Sequence, residues 1–464
     1  MTDERDDPKA TDVSERLRRL QHLGVHRGRA GLAPSPKSRT PATSSSPHHE
    51  NRTPPNLPLA DLPSARLEDR VDAYEVQTHF GSCLIAEARL PAAEVRGLPL
   101  AAALTASGSA VAACTRDPRL DHFDLRQAAF LDTETSGLAG GAGTFAFMVG
   151  IGMFEGEGND TVYIVRQVFM RSPAEERALL EVTANLLARC EGLVSFNGRA
   201  FDVPLLTTRY ALQRQPSPLT GVSHFDLLPA ARQRWRLRLP SCALSALERD
   251  ILEHPRSQED VPGWLIPSLY SDYARSAASG KPSATAIEDM TRVFYHNRED
   301  IVSMVPLAAI LCSPFEETGQ LVRHEAYHPV DTVSLGRSFE ELGWLDAGER
   351  AYRVALERPL SPEARTVALS RLGWLLKRQE RRVEAVAVWQ DWITSVPGAD
   401  PTPYEELAKH HEWQANDLQS ARTWTLWALH TARQLPAGPA REQALASLQH
   451  RLNRLERRLA ETPK

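Results

Sequence analysis

Asp132 and Glu134 stand two residues apart at the end of the apolar run in "AAFLDTETSGLAGGAGTFAF". Two residues is the period of an extended strand, so both carboxylates project from one face. Like charges held that close are costly unless a cation neutralises them. Two further acids fall in comparable settings: Asp202, just past the strand-like "LVSFNG" in "FNGRAFD", and Asp300, within the helical "VFYHNREDIVSM". Four carboxylates ending elements around one sheet suit hard, oxygen-ligated cations, two Mg²⁺ or Mn²⁺. Such ions, roughly 4 Å apart, can activate a water on one side of a phosphodiester and stabilise the leaving oxygen on the other. The array predicts phosphoryl chemistry.

The elements that must position these acids follow from apolar periodicity. "AAFLDT", "FAFMVGIGMFEG" and "DTVYIVRQVFM" read as three successive strands with turn chemistry between them. "SPAEERALLEVTANLLARC" reads as a helix, with Ser172 at the N-cap and Pro173 at the first helical position. A strand at "GLVSFNG", a helix from about Phe201, a short strand at "SHFDLL" and a last helix at "ATAIEDMTRVFYHNREDIVSMVPLAAIL" complete the region. Hairpin strands followed by strands interleaved with helices predict a mixed sheet in an α/β domain over residues 125–312. Residues 1–70, rich in Pro, Ser, Arg and Asp, read as a disordered arm, 71–124 as an extension packing on the α/β domain, and 313–330 as a linker.

Over 331–464 the strand signals vanish and a repeat appears. Leu335-Gly336, Leu372-Gly373 and Leu407-Ala408 recur, each followed at the same interval by an aromatic: Tyr352, Trp389, Trp424. Small residues at a helix crossing and aromatics in the neighbouring groove make this region similar to tetratricopeptide repeats. That resemblance implies an all-α repeat domain that receives a protein partner.

"LDTETSGL", "FNGRAFD" and "HNRED", in that order and in those settings, resemble the three motifs of the DEDD superfamily of 3'-5' exonucleases on the ribonuclease H-like fold. "SCALSALERDILEHPRSQEDVPGWLIPSLYSDYARS" resembles more specifically the YprB-like branch of ribonuclease H-like proteins. The resemblance implies that Asp132, Glu134 and Asp300 hold the cation that activates water, with Asp132 bridging to a second ion served by Asp202. It gives Ser136, Gly137 and Leu138 a place at the edge of the terminal nucleotide, and Asn197 a part in shaping the site or touching substrate. The third motif departs from both exonuclease subfamilies, one with a histidine five positions before the last aspartate and one with a tyrosine four before it. Here Tyr295 is five before Asp300 and His296 is four before it. A residue four positions earlier shares the helix face with Asp300, which favours His296 as the group that orients or deprotonates water; Tyr295 is the alternative.

"ARQRWRLRL" sets Arg232, Arg234, Arg236 and Arg238 around Trp235, either to track phosphates and stack a base or as a solvated helix face. Asp226, before a helix with Pro229 in its first turn, reads as a cap or a supporting residue. The glycines of "GLAGGAGT" lack the Lys-Ser/Thr ending of a phosphate loop. A formal charge of -5 over 464 residues gives no global basic field, so DNA or RNA would be met by a local patch. Five scattered cysteines without CxxC spacing argue against a disulfide framework and a zinc site, and fit a reducing cytoplasm. No secretory signal or membrane span is read. The functions left in competition are a metal-dependent exonuclease, an endonuclease on the same fold, and a non-catalytic scaffold working through its repeats.

Overall fold

The apolar run that ends in Asp132 lies at the centre of a seven-stranded sheet. The computed structural model describes residues 66–93, 99–137, 143–257, 260–316, 326–398 and 400–461; the expected arm lies outside these up to residue 65, as do residues 317–325 of the expected linker and Leu138. The described residues belong to one compact unit.

The strands are β1 (Ala73–Thr78), β2 (Gly81–Pro91), β3 (Ala128–Thr135), β4 (Ala146–Glu155), β5 (Val162–Phe169), β6 (Gly192–Ser195) and β7 (Ser223–Asp226), in the spatial order β1-β2-β5-β4-β3-β6-β7. β3, β4 and β5 form the expected meander, antiparallel throughout, while β6 and β7 run parallel to β3. The mixed α/β sheet is therefore as the pattern predicts. Residues 71–124 do more than pack against it: β1 and β2 extend the sheet, β2 pairing with β5 from Leu84↔Phe169 to Pro91↔Val162.

The strand order reverses at β3, since β4 and β5 fill one side of it and the parallel β6 and β7 the other. Open α/β sheets bind ligands at such a switch point, outside the carboxyl ends of the strands. The parallel ladder runs from Ala128↔Gly192 to Leu131↔Ser195 and stops there. Asp132 is the next residue, where β3 outlasts β6. Alternation puts Ala128 and Phe130 in one apolar cluster and Ala129 and Leu131 in another, so Asp132 and Glu134 continue the parity of the first.

The helices are α1 (Leu67–Val71), α2 (Gly108–Thr115), α3 (Glu176–Leu187), α4 (Asp202–Leu212), α5 (Leu227–Trp235), α6 (Leu244–Asp250), α7 (Ile266–Ala278) and α8 (Ala284–Cys312). α8 lies directly on the sheet because β4 has no side chains where it crosses. A Cβ at Gly150 would stand 2.2 Å from Asn297 Oδ1 and 2.3 Å from Ile301 Cδ1.

Beyond these, α9 (Pro329–Glu341), α10 (Leu345–Leu356), α11 (Pro362–Arg378), α12 (Arg382–Ser395), α13 (Thr402–Trp413), α14 (Leu418–Gln434) and α15 (Pro439–Glu461) make an all-helical region. Gly336 lies under the Tyr352 ring and Gly373 under Trp389, where a Cβ would approach to 2.7 and 2.5 Å. At these two crossings the small residue thus meets the aromatic that follows it. Leu335, Phe339, Ala347 and Ala351 join the cluster that holds Phe130 and Val305, so the first helix pair shares the core of the sheet.

Gly150→Ala is expected to push α8 off β4 and to lower stability by about 1–3 kcal/mol, the usual cost of overpacking. The thermal unfolding midpoint measures it; an unchanged midpoint would contradict the contact.

Candidate active site

Three separate elements bring carboxylates to the end of β3. Asp132 and Glu134 come from the strand itself, Asp202 opens α4, and Asp300 lies on α8. The turn before Asp202 is tightly built. Asn197 takes a left-handed φ of 70°, and a Cβ at Gly198 would stand 2.4 Å from Ser195 Oγ and 3.2 Å from Asp202 Oδ2. Ser195 Oγ accepts the Gly198 N–H (3.2 Å) and meets His224 Nε2 at 2.7 Å. Asp226 accepts from the backbone N–H groups of Asn197 (2.7 Å), Arg199 (3.1 Å) and Leu228 (3.1 Å). It both caps α5 and ties the turn to β7. Thr133 Oγ1 then donates to Asp202 Oδ1 at 2.5 Å, joining α4 to the strand between its two acids.

On α8, Asn297 is fully buried and spans the sheet. Its Nδ2 donates to Asp132 Oδ2 (2.8 Å), and its Oδ1 accepts from Gln167 Nε2 (2.9 Å), which also donates to the Phe294 carbonyl (2.8 Å). His296 and Asp300 follow on one face, Nε2 standing 3.7 Å from Asp300 Oδ2. His296 Nδ1 donates to Asp260 Oδ1 at 2.7 Å. Tyr295 turns elsewhere, its hydroxyl accepting the Ser257 N–H at 3.2 Å. Arg256 closes the group. Its Nε and Nη2 donate to Glu248 (2.6 and 2.8 Å), Nη2 also pairs with Asp300, and Nη1 lies 3.0 Å from His296 Nδ1 and 3.5 Å from Asp260 Oδ2.

This crowding shifts proton affinities. Burial, then the charges of Asp300, Glu134 and Asp202, drive Asp132 well above the usual carboxylate range. Burial raises Glu134 to about 8 against the opposing pull of His296, and raises Asp202 to about 6. For His296 burial disfavours the charged ring, yet Asp300 and Asp260 outweigh it and lift the group to about 9. Among the described residues no three His, Cys, Asp or Glu side chains converge at ligating distance. The donor set nevertheless fits a hard divalent cation: it is all carboxylate oxygen, and its raised proton affinities register an excess of negative charge that a cation would neutralise.

The other sequence candidates divide. Ser136 closes the β3–β4 hairpin through two bonds with Phe145, its N–H donating to the Phe145 carbonyl (2.9 Å) and its Oγ accepting the Phe145 N–H (3.1 Å). Among the described residues a Cβ at Gly137 would meet Thr144 Oγ1 at an ordinary 3.5 Å. Asn197 and Arg232 line a cleft of about 770 Å³ with Arg236. Arg234 and Trp235 are a correction to the expected nucleic-acid stripe. Trp235 is buried in the core, and buried Arg234 lies over the Tyr327 ring, 4.6 Å from its centroid. α5 has a 3.6-residue period, so one side of an arginine-rich run must face inward. Arg238 is also spent internally, on Asp331 at 2.9 Å.

Sequence reasoning missed Asn297, Arg256, Asp260 and Glu248. Asn297 was within reach, three residues before Asp300 on the same helix face. Arg256 and Asp260 approach from an irregular segment that leaves no periodic signal, and Glu248 from the short helix α6 just before it.

Residues 129–312 match the ribonuclease H superfamily. The chain is similar to the uncharacterized protein YprB of Bacillus subtilis (strain 168), 30% identical over 268 residues, which cover 56% of this chain and 59% of that relative. No solved structure matches significantly. Ribonuclease H-like nucleases generally use divalent metal ions. No helix among the described residues is long and apolar enough to cross a membrane.

His224, which braces the Asp202 turn through Ser195, is held down at about 4 by burial. Its folded value lies below the unfolded one near 6.5, so the unfolded chain takes the proton first and stability falls as pH drops from 6.5 towards 4. The loss is expected to reach about 2–3 kcal/mol. His224→Gln should remove that part of the acid sensitivity, measured as the difference between wild-type and variant unfolding midpoints across this window.

Proposed function

We propose that the chain is a metal-dependent nuclease that removes nucleotides from the 3' end of a nucleic acid, and that Asp132, Glu134, Asp202 and Asp300 hold its two Mg²⁺ or Mn²⁺ ions. The observation that carries this reading is the gathering of these four carboxylates, from one strand and two helices, into a pocket where their charges act on one another. A scaffold has no physical use for that cost. When bound, the cations supply Lewis-acid activation of water and charge stabilisation at the leaving oxygen.

The remaining chemistry belongs to the chain. Asn297 fixes Asp132 from behind, so the strand carboxylate keeps its orientation as charge builds. Asp260 holds Nδ1–H of His296 and leaves Nε2 on the Asp300 side. With Asp300 neutralised, the attraction that retains the Nε2 proton falls away, and the imidazole takes a proton from the attacking water. Asn197 and the Ser136–Gly137 edge border the terminal nucleotide. Two large aromatics next to site residues stay in solvent: Phe201, immediately before Asp202, is 60% exposed, and Trp264, which follows the Gly263 that lies beside His296, is 69% exposed. Such rings suit stacking on bases of a single strand. The helical region, with its paired crossings, supports the tetratricopeptide-like reading and a protein partner; a cleft of about 430 Å³ there is lined by Trp374, Trp389 and Trp413 with Lys377 and Lys409. Five free cysteines suit the cytoplasm.

End-labelled single- and double-stranded DNA and RNA, incubated with Mg²⁺ or Mn²⁺, should shorten stepwise from the 3' end. Asp132→Ala should fall to background, and His296→Ala should slow cleavage by roughly 10²–10⁴-fold, the usual range for a general base. Full activity in Asp132→Ala refutes catalysis at this site, and internal cuts would make it an endonuclease. Trp264→Ala should raise KM several-fold with kcat retained, the pattern of lost uniform binding.

A further inference from the structure

Arg256 brings to the pocket a cation that four carboxylates and a base do not require. It approaches on the segment after α6, from neither the sheet nor α8, and its guanidinium bridges Glu248 and Asp300. We infer that Arg256 is a built-in competitor for the divalent cation at Asp300, exchanging that carboxylate for Glu248 alone when the cation arrives. The inference rests on the metal-nuclease reading above.

The geometry gives each half of the exchange. Nη2 engages the Asp300 carboxylate that a cation would also draw on, and a carboxylate engaged by a guanidinium is a poorer ligand for a hard ion. Glu248, 1% exposed, takes both Nε and Nη2. Giving up Asp300 therefore costs Arg256 one contact and leaves its anchor intact. Asp260 stands by on the Nη1 side at 3.5 Å and keeps its bond to His296. None of Asp132, Glu134 and Asp202 pairs with Arg256, so the exchange leaves β3 and α4 in place. The guanidinium remains beside the pocket as a fixed positive charge, and the site surrenders part of its affinity for the cation to keep Asp300 ordered beforehand.

Mn²⁺ binding to the full-length protein, followed by calorimetry and by the electron spin resonance signal of free Mn²⁺, tests this without reference to cleavage. Arg256→Lys keeps the charge but loses the planar fork that spans two carboxylates. It should bind Mn²⁺ several-fold more tightly than wild type. Arg256→Gln combined with Glu248→Gln removes the anchor pair without changing local net charge. It should tighten binding by about 10- to 100-fold, the weight of one charge-assisted hydrogen bond. If that double variant misfolds by circular dichroism, Arg256→Lys alone carries the test. Wild-type binding with equal or weaker affinity in Arg256→Lys overturns this inference and leaves the nuclease reading standing. Absence of Mn²⁺ binding in wild type and variants overturns both.

Discussion

Repulsion among carboxylates at the end of β3 is the constraint on which this molecule turns. A strand that places Asp132 and Glu134 on one face, and then receives Asp202 and Asp300, accumulates charge in a place where burial already disfavours it. Everything immediately around the pocket answers that charge. Asn297 donates to Asp132, Thr133 to Asp202, Arg256 to Asp300, and His296 is drawn towards its protonated form. Isolated acids of this kind would simply take up protons. Held together by rigid elements, they keep their charges acting on one another.

The second constraint is steric and serves the first. α8 can deliver Asn297, His296 and Asp300 only because β4 presents Gly150 where the helix crosses. A similar economy operates at Gly198, where the absent Cβ admits Ser195 and Asp202. Glycine lowers local stability in a strand or turn, and here the loss is offset by the close approach of elements that carry the chemistry. Asp226, an acid at a strand end like the others, is fully engaged with three backbone N–H groups and is thereby separated from the metal-ligand candidates.

The helical region repeats the same device without the charge. Gly336 under Tyr352 and Gly373 under Trp389 let paired helices approach, and the aromatic fills the space thus made. Its first pair shares the apolar core of the sheet, so motions of α9 and α10 and packing beneath β3 are not independent. Part of the alignment with YprB necessarily extends beyond the superfamily match, since it covers 268 residues against the span 129–312.

Much of this was legible in the residues alone because it is local. Period-two alternation determines that Asp132 and Glu134 share a face, apolar runs and caps determine the meander and the helices, and helical spacing places His296 with Asp300. The leucine-glycine pairs with their trailing aromatics likewise announce the helix crossings. Tertiary structure alone decided the rest, for reasons of distance along the chain. Arg256 comes from an irregular segment and Glu248 from the short helix before it, so nothing local points them at Asp300. The inward turn of Arg234 and Trp235 depends on which side of α5 meets the core, and a run of alternating arginines does not disclose it. β1 and β2 extend the sheet through pairing with β5, a contact between residues some eighty positions apart. Spacing in the sequence determines which side chains share a face; only the folded chain decides what that face meets, because the partners arrive from elsewhere.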